Sequence, residues 1–152
     1  MTVQLILNGR AATLDAEPGE MLLDALRRAG VRSVRATCGI GVCGACTVLL
    51  DGETVSGCLT LAHQASGREV TTVEGLGGAD PVQRAFAEAH AFQCGWCTPG
   101  FVLSAKRLLE RNPSPSDEEI VEGLGGNLCR CGSYVKIVAA VRAAARARSQ
   151  AR

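Results

Sequence analysis

Eight cysteines fall into two sets along a chain of 152 residues. The first set is Cys38-x4-Cys43-x2-Cys46, followed by Cys58. The second is Cys94-x2-Cys97 and, further along, Cys129-x-Cys131. Thiols gathered this closely have three uses: sulfide-bridged iron, a structural zinc, or disulfides. The C-x4-C-x2-C spacing is one that wraps a [2Fe–2S] cluster. Four thiolates and two sulfides around two ferric ions carry net negative charge, and reduction adds more. Such charge needs many backbone N–H donors, so the chain must approach the sulfurs closely. Gly39, Gly41 and Gly44 let a loop do that. The second set is less specific, because two close pairs also suit tetrahedral zinc. On residues alone zinc stays open there. Disulfides are disfavoured: the segment from Met1 to Gly9 has neither the basic region nor the cleavage site of an export signal. A cytoplasmic setting is expected, where thiols stay reduced.

These cysteines must be held by the elements around them. Residues 3–7 alternate and are β-rich, Asn8-Gly9 is a hairpin turn, and Ala11–Leu14 is the return strand. Glu17-Pro18-Gly19 breaks the pattern. A short helix follows with Leu22, Leu23 and Leu26 on one face, stopping at Gly30. Residues 37–46 form a loop dense in Gly and Cys. Thr47–Leu50 and Glu53–Gly57 make a second hairpin across Asp51-Gly52, and Glu69–Val73 is a last strand. The run from Gly75 to Ala79 is the expected linker.

Beyond it the pattern turns helical. Asp80-Pro81 is an N-cap with Pro at the first position, and Thr98-Pro99 repeats that start signal. Asn112-Pro113 ends the second helix. Ser116 to Glu119 is a capping box for a third, which Gly125-Gly126 closes. A last helix carries Tyr134, Ile137, Val138, Val141 and Ala145 at 3.6-residue spacing. Cys94 and Cys97 precede one helix start, and Cys129 and Cys131 precede another, where free N–H groups favour anionic sulfur.

Three stretches now carry a resemblance: Cys38-Gly-Ile-Gly-Val-Cys43-Gly-Ala-Cys46, Gln93-Cys94-Gly-Trp-Cys97-Thr-Pro-Gly100, and Gly126-Asn127-Leu128-Cys129-Arg130-Cys131. In this order the chain resembles the iron–sulfur subunits of the xanthine oxidase family of molybdenum hydroxylases, from about residue 3 to residue 142. The resemblance implies an α+β protein. Residues 1–76 would be a β-grasp, plant-ferredoxin-like [2Fe–2S] domain, and residues 79–152 a four-helix-bundle [2Fe–2S] domain. It assigns both cysteine sets to clusters, with Cys38, Cys43, Cys46, Cys58, Cys94, Cys97, Cys129 and Cys131 as ligands. It also implies that Gln93 and Cys131 touch a pterin. Molybdopterin would sit on a large partner subunit and FAD on a medium one, and this chain would relay electrons with no catalytic residue of its own. A free-standing two-cluster ferredoxin or redox sensor is the alternative. Two departures stand out. Thr37 replaces the glycine many relatives have before the first cysteine. Gly132-Ser133-Tyr134 replaces their Thr-Gly-Tyr, as in the isoquinoline oxidoreductase branch.

The remaining residues have plainer readings. Trp96 is expected to be an apolar lid, Asn127 to satisfy loop backbone groups, and Tyr134 to be a core residue with a bonded hydroxyl. His63 and His90 are expected to be ordinary polar residues. Net charge is +1, which argues against a nucleic-acid partner. No apolar run reaches the length of a membrane span.

Overall fold

The computed structural model describes residues 1–150. Its first half is a five-stranded mixed sheet. The strands are β1 (Thr2–Leu7), β2 (Arg10–Asp15), β3 (Thr47–Leu50), β4 (Glu53–Ser56) and β5 (Glu69–Thr71), in the order β2-β1-β5-β3-β4. β1 and β5 run parallel, with Ile6 opposite Glu69; the other pairs are antiparallel. Both hairpin turns fall where they were expected. Asn8 and Asp51 each adopt positive φ, 52° and 49°, followed by Gly9 and Gly52, as a two-residue turn demands. Alternation in β1 puts Val3 and Leu5 inward. They meet Leu22, Leu23 and Leu26 of α1 (Leu22–Arg28), which lies in the sheet's grasp. Each fully buried leucine contributes about 2 kcal/mol.

β5 is shorter than the sequence pattern suggested. It ends at Thr71, and Val73–Leu76 is a 3-10 turn. Asn8 is the reason. Its Oδ1 accepts from the Thr72 N–H at 2.8 Å and its Nδ2 donates to the Thr72 hydroxyl at 3.0 Å, drawing the chain off the sheet.

The second half is four helices: α2 (Pro81–Glu88), α3 (Thr98–Arg111), α4 (Asp117–Gly123) and α5 (Tyr134–Gln150). The Asp80 side chain caps α2 and the Ser116–Glu119 box caps α4, both as expected. α3 begins one residue early: Cys97, not Thr98, is the N-cap residue, because its carbonyl already accepts from the Phe101 N–H. Phe86, Phe101, Leu109, Ile120, Ile137 and Val141 are fully or nearly fully buried in a second core, separate from that of the sheet.

The halves meet along α3. This helix packs on β3, which is why all four β3 residues are buried. Glu53 of β4 pairs with Arg107 and Arg111 of α3. No helix among the described residues is long and apolar enough to cross a membrane.

Candidate metal centres

The loop from Ala36 to Ala45 contains three left-handed glycines, Gly39, Gly41 and Gly44, with φ of 67°, 75° and 68°. Successive turns of this kind point N–H groups inward and make a nest for negative charge. Ile40, Cys43 and Val42 supply such N–H groups to the Cys38 sulfur, and with the Cys43 thiol they lower the Cys38 thiol to about 6. Cys46 lies deeper, at 2% exposure. Burial pushes its thiol up to about 11, although the Cys58 N–H donates to its sulfur at 3.4 Å. Cys58 is brought back by the turn after β4, and Gly57 is bonded to the Cys46 carbonyl there.

The second set joins two helix starts. Cys94 and Cys97 lead into α3, and Cys129 and Cys131 precede α5. Gly95 and Gly132 are left-handed, with φ of 77° and 74°. The Trp96 N–H lowers the exposed Cys94 thiol. Burial pushes the Cys97 thiol up to about 12. Burial, the largest single effect, would raise Cys129, but the Ser133 N–H, 3.4 Å from its sulfur, together with the Cys97 thiol and the Cys131 N–H, outweighs it and the thiol is lowered.

The thiols stand in couples: Cys38 with Cys43, Cys46 with Cys58, Cys94 with Cys131, and Cys97 with Cys129. A two-iron cluster takes two thiolates at each iron. The couples, the inward N–H groups and the all-sulfur donor set fit that group at both sites. A cavity of about 330 Å³ opens between the sets, lined by Cys43, Cys94, Cys97 and Cys129 together with Thr37 and Trp96.

Other expected residues fall as follows. Gln93 is exposed, and its Nε2 donates to the Cys131 carbonyl at 3.3 Å, so these two residues share one surface. Asn127 is buried and bonds the Gly44 carbonyl, as expected of a loop-satisfying side chain. Tyr134 departs from expectation. Its hydroxyl is bonded, accepting from the Cys129 N–H at 2.8 Å, but the residue is 44% exposed, because it stands at the rim of α5 where the chain opens toward the cysteines. Trp96 departs too. It is a strap rather than an apolar lid: its indole N–H donates to the Thr37 hydroxyl at 2.8 Å, and the Arg35 guanidinium sits 4.8 Å above the ring. Sequence reasoning overlooked Ser133 as a donor and Gly100 as a contact. The glycine following Thr-Pro was the signal for the second; a main-chain N–H donor leaves none.

Sheet-with-helix, helical half and paired thiols together define a two-cluster iron–sulfur protein of the α+β class. Residues 5–72 match the model of a 2Fe-2S iron-sulfur cluster binding domain, and residues 72–142 that of a [2Fe-2S] binding domain. The chain is 49% identical over 146 residues to the nicotinate dehydrogenase small FeS subunit of Eubacterium barkeri, covering 93% of each. It is 50% identical over 142 residues to the nicotine 6-hydroxylase small subunit of Paenarthrobacter nicotinovorans, covering 91% of this chain and 86% of that one. Among solved structures, quinoline 2-oxidoreductase from Pseudomonas putida 86 superposes with a TM-score of 0.93 at 41% identity, covering 99% of this chain and 96% of that chain. The chain belongs to the iron–sulfur subunits of the xanthine oxidase family of molybdenum hydroxylases.

Proposed function

We propose that this chain is the electron-carrying subunit of a molybdenum hydroxylase, with residues 1–76 and 79–152 each holding one [2Fe–2S] cluster. Cys38, Cys43, Cys46 and Cys58 are the ligands of the first, and Cys94, Cys97, Cys129 and Cys131 those of the second. The observation that carries this reading is the gathering of the two cysteine sets at loops of left-handed glycines, Gly39, Gly41 and Gly44 for the first and Gly95 and Gly132 for the second, within two stretches that match [2Fe-2S] binding domains. Once bound, the clusters accept and pass on single electrons, so that the chain carries charge from the molybdopterin of a large subunit toward FAD on a medium subunit or another acceptor.

The chain's own residues do the rest. The N–H groups of Ile40, Val42 and Cys43 offset charge on Cys38, and those of Trp96 and Ser133 do so on Cys94 and Cys129. Donors of this kind set cluster potentials. Burial of Cys46 and Cys129 excludes water from the inner sulfurs. Gln93 and the Cys131 backbone present one exposed polar edge, which we assign to the pterin of the large subunit. A cytoplasmic setting suits thiolates kept for metal rather than for disulfides, and a net charge of +1 supplies no strong field to draw nucleic acid.

The test is to purify the complex through a tag on this chain, followed by metal analysis and low-temperature EPR. Molybdenum with about four irons per chain, and two distinct reduced [2Fe–2S] signals, is the expected result. Zinc with two irons, or both clusters without molybdenum or a partner, would overturn it. Nicotinate, nicotine and quinoline, named in the relatives, share a nitrogen heteroaromatic ring, and that class is the first to offer the complex.

A further inference from the structure

Ser133 is 6% exposed, and its hydroxyl has no hydrogen-bond partner among the described residues. Leaving a buried hydroxyl unbonded is costly. Native structures keep such a group where some acceptor is supplied. The geometry around Ser133 narrows the choice of acceptor. Its own N–H donates to Cys129 Sγ at 3.4 Å, which holds the residue against that sulfur. The neighbouring Tyr134 hydroxyl is already engaged by the Cys129 N–H. A neutral thiol is a weak acceptor, whereas a thiolate is a strong one. The unpartnered hydroxyl belongs to the residue whose N–H holds it against Cys129, and a metal-bound thiolate there is the kind of strong acceptor it lacks. This residue is also where the chain departs from the Thr-Gly-Tyr of many relatives, and a glycine there has no hydroxyl to give.

We propose that the Ser133 hydroxyl donates a hydrogen bond to the Cys129 thiolate of the second cluster and raises that cluster's reduction potential. Reduction adds negative charge, and a donor at the thiolate stabilises the more negative state. The main-chain N–H of residue 133 supplies one donor whatever the side chain is; the serine adds a second. Ser133 is thus a tuning residue, which acts on the second cluster's potential without touching substrate. The proposal rests on the ligand assignment above.

The experiment is an EPR-monitored titration with dithionite and mediators, on the intact complex, for the parent, Ser133→Ala and Ser133→Thr. The second cluster's signal is the one that remains in Cys43→Ala. Ser133→Ala is expected to shift that signal to lower potential and leave the first cluster's midpoint in place. Ser133→Thr, which keeps the hydroxyl, is expected to restore the parent value. In the parent, brief exposure to deuterium oxide followed by pulsed EPR is expected to reveal a rapidly exchanged, strongly coupled hydroxyl proton at the second cluster. This second measurement decides the matter even where Ser133→Ala fails to assemble. An unshifted midpoint in Ser133→Ala, or no such proton in the parent, overturns the role of Ser133 alone. A parent without a second [2Fe–2S] signal overturns the ligand assignment and this proposal together.

Discussion

The main-chain N–H of Leu128 donates to the carbonyl oxygen of Cys43 at 2.9 Å. Cys43 belongs to the first cysteine set, and Leu128 is the residue before Cys129 of the second. One backbone hydrogen bond therefore links the two metal sites. Beside it, Asn127 Nδ2 donates to the Gly44 carbonyl at 3.2 Å. The bridge uses peptide groups that no side-chain substitution at Cys43 removes.

Cys43→Ala should accordingly separate metal binding from the bridge. The first cluster is lost and iron falls from about four to about two per chain. The sheet half loses stability, since binding and folding are linked. The second cluster's EPR signal stays, because its ligands and the Cys43 carbonyl remain. Retention of about four irons would refute the role of Cys43.

Gly100 tests how tightly the seam is packed. A Cβ there would lie 2.2 Å from the Gly44 carbonyl oxygen, and backbone cannot move aside cheaply. Gly100→Ala is expected to cost about 1–3 kcal/mol and to lower the melting temperature. Gly126→Ala is the control, with open space around its Cβ. Its cost should be near zero. Equal melting temperatures for the two variants would mean that the seam gives way easily.

Much of this was legible in the sequence, and the misses have a common cause. Turns at Asn8-Gly9 and Asp51-Gly52, the caps at Asp80 and Ser116, and the helix end before Pro113 are local effects, and each stands where local rules put it. The early end of β5 depends on Asn8, far away in the chain. The strap of Trp96 on Thr37 and the approach of Gly100 to Gly44 likewise join residues that only the packing of α3 on β3 brings together. The cysteines were readable because a cluster imposes its spacing on the chain; their donors were not, because an N–H group carries no residue signature.

Glu74 predicts a pH effect. It accepts from the N–H groups of Arg32 and Ser33, at 3.1 and 2.9 Å, and from the hydroxyls of Ser33 and Thr72. Burial alone would raise its carboxyl, but these donors outweigh it and hold the group at about 2, against an ordinary value of 4.5. A carboxyl lowered on folding stabilises the fold above its unfolded value and loses that contribution as pH falls from about 4.5 toward about 2. Glu74→Gln should lower stability at pH 7 by about 1 kcal/mol, a modest loss because water screens the open side of the carboxylate. The gap between variant and parent in thermal melts should close as pH drops through this window. A gap that is constant with pH would show that the charge is not what matters.

Trp96→Phe keeps an aromatic ring beneath Arg35 and deletes the donor to Thr37. It should cost about 1 kcal/mol, and Thr37→Val should cost a similar amount. If the strap is one interaction, the double variant costs less than the sum, with a coupling of about 0.5–1 kcal/mol. Denaturant unfolding followed by cluster absorbance measures it. Strict additivity would mean that Trp96 and Thr37 act separately.

Gln93→Ala addresses the edge assigned to the pterin. The side chain is exposed and, among the described residues, bonds only the Cys131 carbonyl, at 3.3 Å. Its removal leaves every thiol and both hydrophobic cores untouched, so iron content and both midpoint potentials should match the parent. A group that positions the pterin edge acts on the approach to the second site, so the loss should appear in the rate at which substrate reduces the clusters in stopped-flow. A slowing of about tenfold corresponds to about 1.4 kcal/mol, the scale of one exposed hydrogen bond. Gln93→Glu keeps the length but presents an acceptor where the amide presents a donor, and should be slowed as well. An unchanged rate in Gln93→Ala with full molybdenum content would show that Gln93 merely fastens its own loop.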